Sequence, residues 1–344
     1  MPAALFAPCA AGPAASLRLG LGGAPLGNLF APITASAAVA TVGTAWASGC
    51  RSFDTAPHYG HGLSEHRLGE ALRGLTDPGA SPRDSFVLSS KVGRLLRPNP
   101  AAARNQHGYV DVLPFDQHWD YSADGVRRSL EDSLQRLGLA RVDVAYVHDC
   151  DAATHGLQAA AVLRQVLTET LPALQRLKAE GLIGAIGLGV NDVAVVQAVL
   201  REAELDALLL AGRYSLLDHS ALPELLPQCA ARGVHVALGG VFNSGILASG
   251  SRGATVNFNY APAAQEWLER TARIEAVCEQ HAVPLRAAAL QFVIAHPAVE
   301  IVMLGARSAA EWRDAQAMAR HPIASEFWLS LREAGLLPAD APTP

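Results

Sequence analysis

The sequence predicts a single-domain α/β protein, a (β/α)8 or TIM barrel with long loops at the C-terminal face of its strands. Three observations carry that expectation. Short β-rich runs alternate with longer helix-period runs almost to the end of the 344 residues, the pattern of parallel βα units. Runs such as "ALLLAG" are apolar on both faces, as strands covered on both sides must be. No linker rich in Pro, Gly or Ser divides the chain, and this disfavours the alternative, a doubly wound open sheet with a second domain. The expected boundaries are a loose leader over 1–16, the barrel over 17–335 and a tail over 336–344.

The glycine-rich stretch "LRLGLGGAPLGNL" supplies the first strand. Then come "CRSFDTA" (50–56), "FVLSSKV" (86–92), "VDVAYVHD" (142–149), "AIGLGV" (185–190), "ALLLAGRYS" (207–215), "VHVALGG" (234–240) and "EIVMLGA" (300–306), which makes eight. Helical periodicity fills the gaps. In "SADGVRRSLEDSLQRLG", Val126, Leu130, Leu134 and Leu137 recur at helical spacing and Gly138 provides the stop; "TLPALQRLKAEG" ends on Gly181 in the same way. Two connections, 93–121 after the third strand and 241–264 after the seventh, are too long for simple turns. Both leave strand C-terminal ends, where barrel active sites are built.

Composition narrows the function classes. Half the residues are apolar and 17% are charged, which favours a large core over disorder. A net charge of -5 without a basic run offers nothing to nucleic acid or an anionic membrane, and no run has the length of a membrane span. Five scattered cysteines, Cys9, Cys50, Cys150, Cys229 and Cys278, form no CxxC pair, as expected of a reduced compartment. The apolar opening carries Pro2, Pro8 and Pro13 and no positive region, so it reads as a leader and not a secretion signal. A cytoplasmic protein acting on a small molecule is the expectation. Oligomeric state is not legible.

Four ionisable residues share the strand C-terminal ends: Asp54 and Tyr59 after the second strand, Lys91 ending the third, His148 ending the fourth. Singly, each has a structural reading: a turn anchor, a loop aromatic, a snorkelling amine, a core histidine. Together they are costly to bury unless they pair. A phenol is a poor base near neutral pH unless a cation favours the phenolate; Lys91 is the expected cation, Asp54 its partner, and His148 the group that orients a substrate oxygen. Such a set suits hydride transfer beside a nicotinamide.

The stretches "FDTAPHYGHGLSEHRLG", "SSKVGRLLRP", "SLEDSLQRLGLARVDVAYVHD" and "LGARSAAEWRD" resemble, in order, the landmark motifs of the aldo-keto reductases, over roughly residues 17 to 335. The resemblance implies a catalytic tetrad of Asp54, Tyr59, Lys91 and His148. Further stretches, "GLGGAPLGNLF", "LLAGRYSLLD" and "GGVFNSGILASG", are similar to the branch of aldose, L-galactose and pyridoxal dehydrogenases. That branch implies oxidation of a cyclic hemiacetal, an aldose such as L-fucose or another lactol, to a lactone.

The resemblance also implies an extended nicotinamide cofactor held by Asn191, by Asn243, Ser244, Gly245 and Leu247 after strand seven, and by Gly305, Arg307, Ser308 and Glu311 at the last barrel helix. Gly239 stands where the family usually has an aromatic that stacks on the nicotinamide. Glu311 stands where NADP-using relatives place a basic residue, so NAD is favoured over NADP, with Arg307 as a possible compensator. His58, Arg97, His118 and Trp119 are the expected substrate contacts.

Two rivals stay open here: a metal-dependent barrel hydrolase or lyase using "HYGH" and "HDCD", without a recognised ligand spacing, and a non-catalytic nucleotide-binding partner subunit, disfavoured by the complete tetrad.

Overall fold

The computed structural model describes residues 4–6, 17–75, 83–253 and 256–344. All eight expected strands are found: β1 (Leu19–Gly22), β2 (Ser52–Asp54), β3 (Val87–Val92), β4 (Val142–His148), β5 (Ile183–Val190), β6 (Ala207–Ala211), β7 (His235–Gly239) and β8 (Val299–Gly305). They pair in parallel around a closed barrel, in the order β1-β8-β7-β6-β5-β4-β3-β2, and the β1–β2 pairing shuts it. The sixth expected run ends early because Gly212, at φ 69, turns the chain out of the strand.

Two apolar layers hold the barrel. Between sheet and helices lies the main core, with Phe53, Leu88, Leu188 and Phe292 fully buried. Inside the barrel, Val144, Tyr146, Ala185, Ala207, Leu209, Ala237, Ile301 and Met303 pack with Phe6. Of the segment expected to be a loose leader, only residues 4–6 are described, and within them Phe6 is buried; its remainder and Cys9 lie outside the described residues. In the segment expected as a tail, Leu336, Leu337 and Ala341 are buried, and the Arg270 guanidinium donates to the Leu336 carbonyl at 2.8 Å.

The helix Ala123–Leu137 starts at Ser122, whose Oγ accepts from the Gly125 N–H, and stops at Gly138 in the left-handed region at φ 63. Gly181, at φ 78, ends the later helix as expected. The two long connections carry more order than a loop. The first forms an antiparallel hairpin, Arg94–Pro98 against Phe115–Trp119, whose tip is pinned across the barrel mouth by a Leu29–Tyr109 bridge. The second folds into short helical turns and a small hairpin, Asn257–Phe258 against Ala261–Pro262. Among the described residues no helix is long and apolar enough to cross a membrane.

Candidate active site

Register brings the four polar groups together. Asp54 on β2 pairs with Ser89 on β3, Lys91 two residues on pairs with Tyr146 on β4, and His148 two further on pairs with Gly189 on β5. Because side chains alternate along a strand, Ser89, Lys91, Tyr146 and His148 share the inner face. Gly189 makes the room: a Cβ there would stand 3.2 Å from the Tyr146 Cβ and 3.4 Å from the Lys91 Cε. Tyr59 comes from the turn after β2. Its backbone lies directly on the loop after β1, where a Cβ at Gly27 would stand 2.5 Å from the Tyr59 carbonyl carbon.

Lys91 and Asp54 form a buried ion pair, with side chains 2% and 4% exposed. The ammonium donates to both Asp54 carboxylate oxygens, at 3.0 and 2.7 Å, and to the Thr55 carbonyl at 2.9 Å. All three of its hydrogens are therefore used. Ser89 Oγ donates to the same carboxylate at 2.8 Å. Lys91 Nζ lies 4.5 Å from the Tyr59 ring centroid, over its face.

This arrangement corrects the expectation that Lys91 draws the phenol below its ordinary pKa. Burial, followed by the Asp54 charge, holds Tyr59 well above that value. The ammonium is matched by the carboxylate it binds, so the pair presents little net charge to the phenol. Among the described residues nothing hydrogen-bonds the Tyr59 hydroxyl, which leaves it free for a substrate oxygen.

His148 is kept neutral through the physiological range, burial first and the Arg94 and Lys91 charges next driving its pKa well down. Its Nδ1 is buried without a partner among the described residues, and its Nε2 stands 3.5 Å from an Asp149 carboxylate oxygen. Asp149 follows β4 in the left-handed region, at φ 43, and is salt-bridged to the nearly buried Arg94 guanidinium. Burial raises the Asp149 pKa to about 6 against the opposing pull of Arg94. Arg94 also donates to Gln117 Oε1 at 3.1 Å, and that oxygen is bonded by His58 Nδ1 at 2.9 Å. Since Gln117 Oε1 accepts both bonds, His58 carries its proton on Nδ1 and offers Nε2 as an acceptor.

His58, Tyr59, Lys91, His148 and Asp149 line a cavity of about 450 Å³ with His107, Tyr109, Asp151, Asn191 and Tyr260. A second cavity of about 390 Å³ opens beside it, bounded by Gly22, Gly239, Gly240, Ser244, Gly245, Gly305, Arg307 and Glu311; Tyr59 and Tyr260 border both. The second is a groove kept bare. A Cβ on Gly22 or Gly239 would meet nothing nearer than 3.6 Å, and one on Gly245 nothing within 4 Å, so these glycines leave space free. An open groove lined by Arg307 as well as by Asp54 and Tyr59 fits an elongated dinucleotide.

Of the expected cofactor contacts, Ser244, Gly245, Gly305, Arg307 and Glu311 border the groove, and Asn191 lies at the neighbouring cavity. Three do not. Leu247 is fully buried on the inward face of its short helix, Asn243 is buried and donates to the Gly212 carbonyl at 3.2 Å, and Ser308 caps the helix Ala309–Ala319 by accepting from the Glu311 N–H at 3.2 Å. Glu311 is itself engaged: its carboxylate accepts from the Arg307 N–H at 2.8 Å and from the guanidinium at 3.0 and 2.9 Å.

Of the expected substrate contacts, only His58 lines the cavity. Hairpin alternation explains the others. Arg94, Gln117 and Trp119 share one face, and Arg97 and His118 fall on the opposite one. Trp119 lies over the Arg94 guanidinium, 4.0 Å from its carbon, and covers it from outside. Arg94, Tyr109 and Tyr260 are site residues that the sequence alone does not single out. His61 turns away, its Nδ1 on the Phe115 carbonyl at 2.6 Å. Among the described residues no three His, Cys, Asp or Glu side chains come together as a metal would require.

Comparisons with known proteins agree with this geometry. The aldo/keto reductase family model matches residues 18–335. A pyridoxal 4-dehydrogenase of Microbacterium luteolum is 42% identical, covering 93% of this chain and 94% of the relative; a D-threo-aldose 1-dehydrogenase of a Pseudomonas species is 40% identical at the same coverage. An L-galactose dehydrogenase of Arabidopsis thaliana is 31% identical over 85% of this chain and 81% of its own. Among solved structures, an aldo-keto reductase from Bacillus halodurans superimposes with a TM-score of 0.69 over 94% of this chain and 93% of that one, at 23% identity, and shares the fold. The chain therefore belongs to the aldo/keto reductase family, the NAD(P)-dependent oxidoreductases of small molecules.

Proposed function

We propose that the protein oxidises the cyclic hemiacetal of an aldose, of the L-fucose or D-threo-aldose type, to its lactone, with Tyr59 as general acid and base and NAD favoured over NADP. One observation carries the sugar reading. The imidazole Nε2 of His148 and the carboxylate of Asp149 stand 3.5 Å apart on the cavity wall, a donor beside an acceptor. The oxygen that reacts and the hydroxyl on the next carbon of a lactol need that pairing. His58 Nε2 adds an acceptor, and the relatives named for aldose and galactose oxidation support the same reading.

Each group then has one task. Tyr59 takes the lactol hydroxyl proton as the C–H bond breaks and returns it in the reverse reaction. The Asp54–Lys91 pair fixes the phenol, with Lys91 over its ring. Neutral His148 donates to the reacting oxygen. Bound nicotinamide supplies the hydride acceptor.

A panel of L-fucose, L-galactose, D-arabinose, pyridoxal and simple aldehydes, each with NAD and NADP and followed at the absorbance of reduced nicotinamide, tests the proposal. Aldoses with NAD are expected to lead. Turnover of pyridoxal with no aldose turnover would move the substrate to the second reading, which the pyridoxal-oxidising relative and the aromatic lining of Phe30, Tyr109 and Tyr260 favour.

The raised Asp149 pKa gives a pH expectation. Above about 6 the carboxylate is charged and accepts a sugar hydroxyl; below it the acceptor is lost, so kcat/KM for aldoses should fall through pH 6. Folding raises this pKa above the ordinary carboxylate value, so protonation of Asp149 in the acid range favours the folded state. The loss should therefore be reversible, and circular dichroism should stay unchanged between pH 7 and 5. A flat kcat/KM across that interval removes Asp149 from substrate binding.

Cofactor choice follows from the Arg307–Glu311 pair. Glu311 occupies the guanidinium that a 2′-phosphate would need. Glu311→Arg should shift the NADP/NAD ratio of kcat/KM by tenfold or more, from the ~1.5 to 3 kcal/mol of a hydrogen bond to a charged group. An unmoved ratio excludes Glu311 from the cofactor site.

A further inference from the structure

The tip of the small hairpin at 257–262 stands where the two cavities meet. Its turn residues, Asn259 and Tyr260, are both left-handed, at φ 49 and 62, a conformation that a bulky side chain rarely adopts. Packing within the hairpin does not explain Tyr260. The hairpin's own anchor is Phe258, stacked on Trp267 with ring centroids 4.1 Å apart, whereas Tyr260 is 58% exposed. Instead the tip is tied toward the site. The Tyr260 N–H donates to Ser244 Oγ at 2.8 Å and Arg213 donates to Asn259 Oδ1 at 3.1 Å, and Tyr260 lines both cavities, the first together with Asn191.

Leu209, Ala211 and Gly239 line the same groove as this ring, and the atoms nearest a Cβ on Gly239 would be those of Ala211 and Leu209, none nearer than 3.6 Å. Small residues, the bare Gly239 and the Tyr260 ring thus line one groove beside Tyr59. Such a groove suits a planar, electron-poor ring, which an electron-rich phenol ring stacks against.

We propose that Tyr260 is a cofactor-positioning residue, its ring forming the roof over the nicotinamide end of the groove in place of a strand-seven aromatic. The inference rests on the nicotinamide-cofactor reading and is independent of the sugar.

The test uses binding, without substrate. Dissociation constants for NADH and for ADP-ribose, which lacks the nicotinamide, are measured by quenching of protein fluorescence in the wild type, Tyr260→Ala and Tyr260→Phe. The alanine variant should bind NADH about tenfold more weakly and ADP-ribose within twofold of wild type; the phenylalanine variant, which keeps the ring, should bind NADH within threefold of wild type. In Tyr260→Trp, the new indole should be quenched by NAD and not by ADP-ribose, which gives a second reading if the alanine variant folds poorly. NADH binding by Tyr260→Ala within twofold of wild type, or an equal loss for ADP-ribose, overturns the inference while leaving the cofactor reading intact. A wild type that binds neither ligand overturns both.

Discussion

Tyr59→Phe is expected to lower kcat for lactol oxidation by about 10³-fold, within the range that positioned proton transfer supplies, and to leave NADH binding within twofold. The ring would remain under Lys91 and beside both cavities, so only the hydroxyl is lost. The wild-type pH profile carries the same claim. In the proposed mechanism oxidation requires the phenolate, and burial with the Asp54 charge holds the phenol well above its ordinary pKa. With chemistry rate-limiting, the rate should therefore climb from pH 7 to pH 10 without a plateau, and Tyr59→Phe should abolish the climb. A variant that keeps a tenth of the wild-type rate would make Tyr59 structural.

Lys91→Met is expected to destabilise the protein by ~3–5 kcal/mol and to remove about 10²-fold or more of the activity, because it leaves the Asp54 carboxylate buried without its cation. Ser89 would remain as its side-chain donor. Asp54→Asn should cost less. Burial already lowers the Lys91 pKa, so an unpaired Lys91 can escape by losing its proton. That escape grows easier as pH rises, so the Asp54→Asn deficit should shrink between pH 7 and 10, while the Lys91→Met deficit should not. Urea unfolding of both variants and of the double variant at the two pH values checks this. Equal, pH-independent losses would mean that the ion pair is not the relevant contact.

Much of the fold is legible in the sequence because short β-rich runs alternate with helix-period runs, and all eight of the expected strands stand in the barrel. Strand termini also placed Asp54, Lys91 and His148 on one rim, since parallel strands all point their C-terminal ends the same way. What stayed hidden depended on contacts distant in the chain. Asp149 was weighed only as a metal ligand; its left-handed turn and its Arg94 partner appear only when the 94–119 hairpin folds over the mouth. Arg97 and His118 were read from a segment taken as irregular, and a hairpin register turned them to the other face. The direction of the Tyr59 shift depended on where three ammonium hydrogens go, which no spacing of residues discloses.

The most direct test of hemiacetal oxidation at this site is deuterium transfer. The enzyme is incubated with NAD and L-fucose, or the best aldose of the panel, deuterated at the anomeric carbon, and both products are read by mass spectrometry at early times. The account predicts reduced nicotinamide one mass unit heavier than the unlabelled cofactor, formed one-to-one with unlabelled lactone, and a slower rate than with the protiated sugar. Unlabelled reduced cofactor, or a product that retains the deuterium, would contradict it.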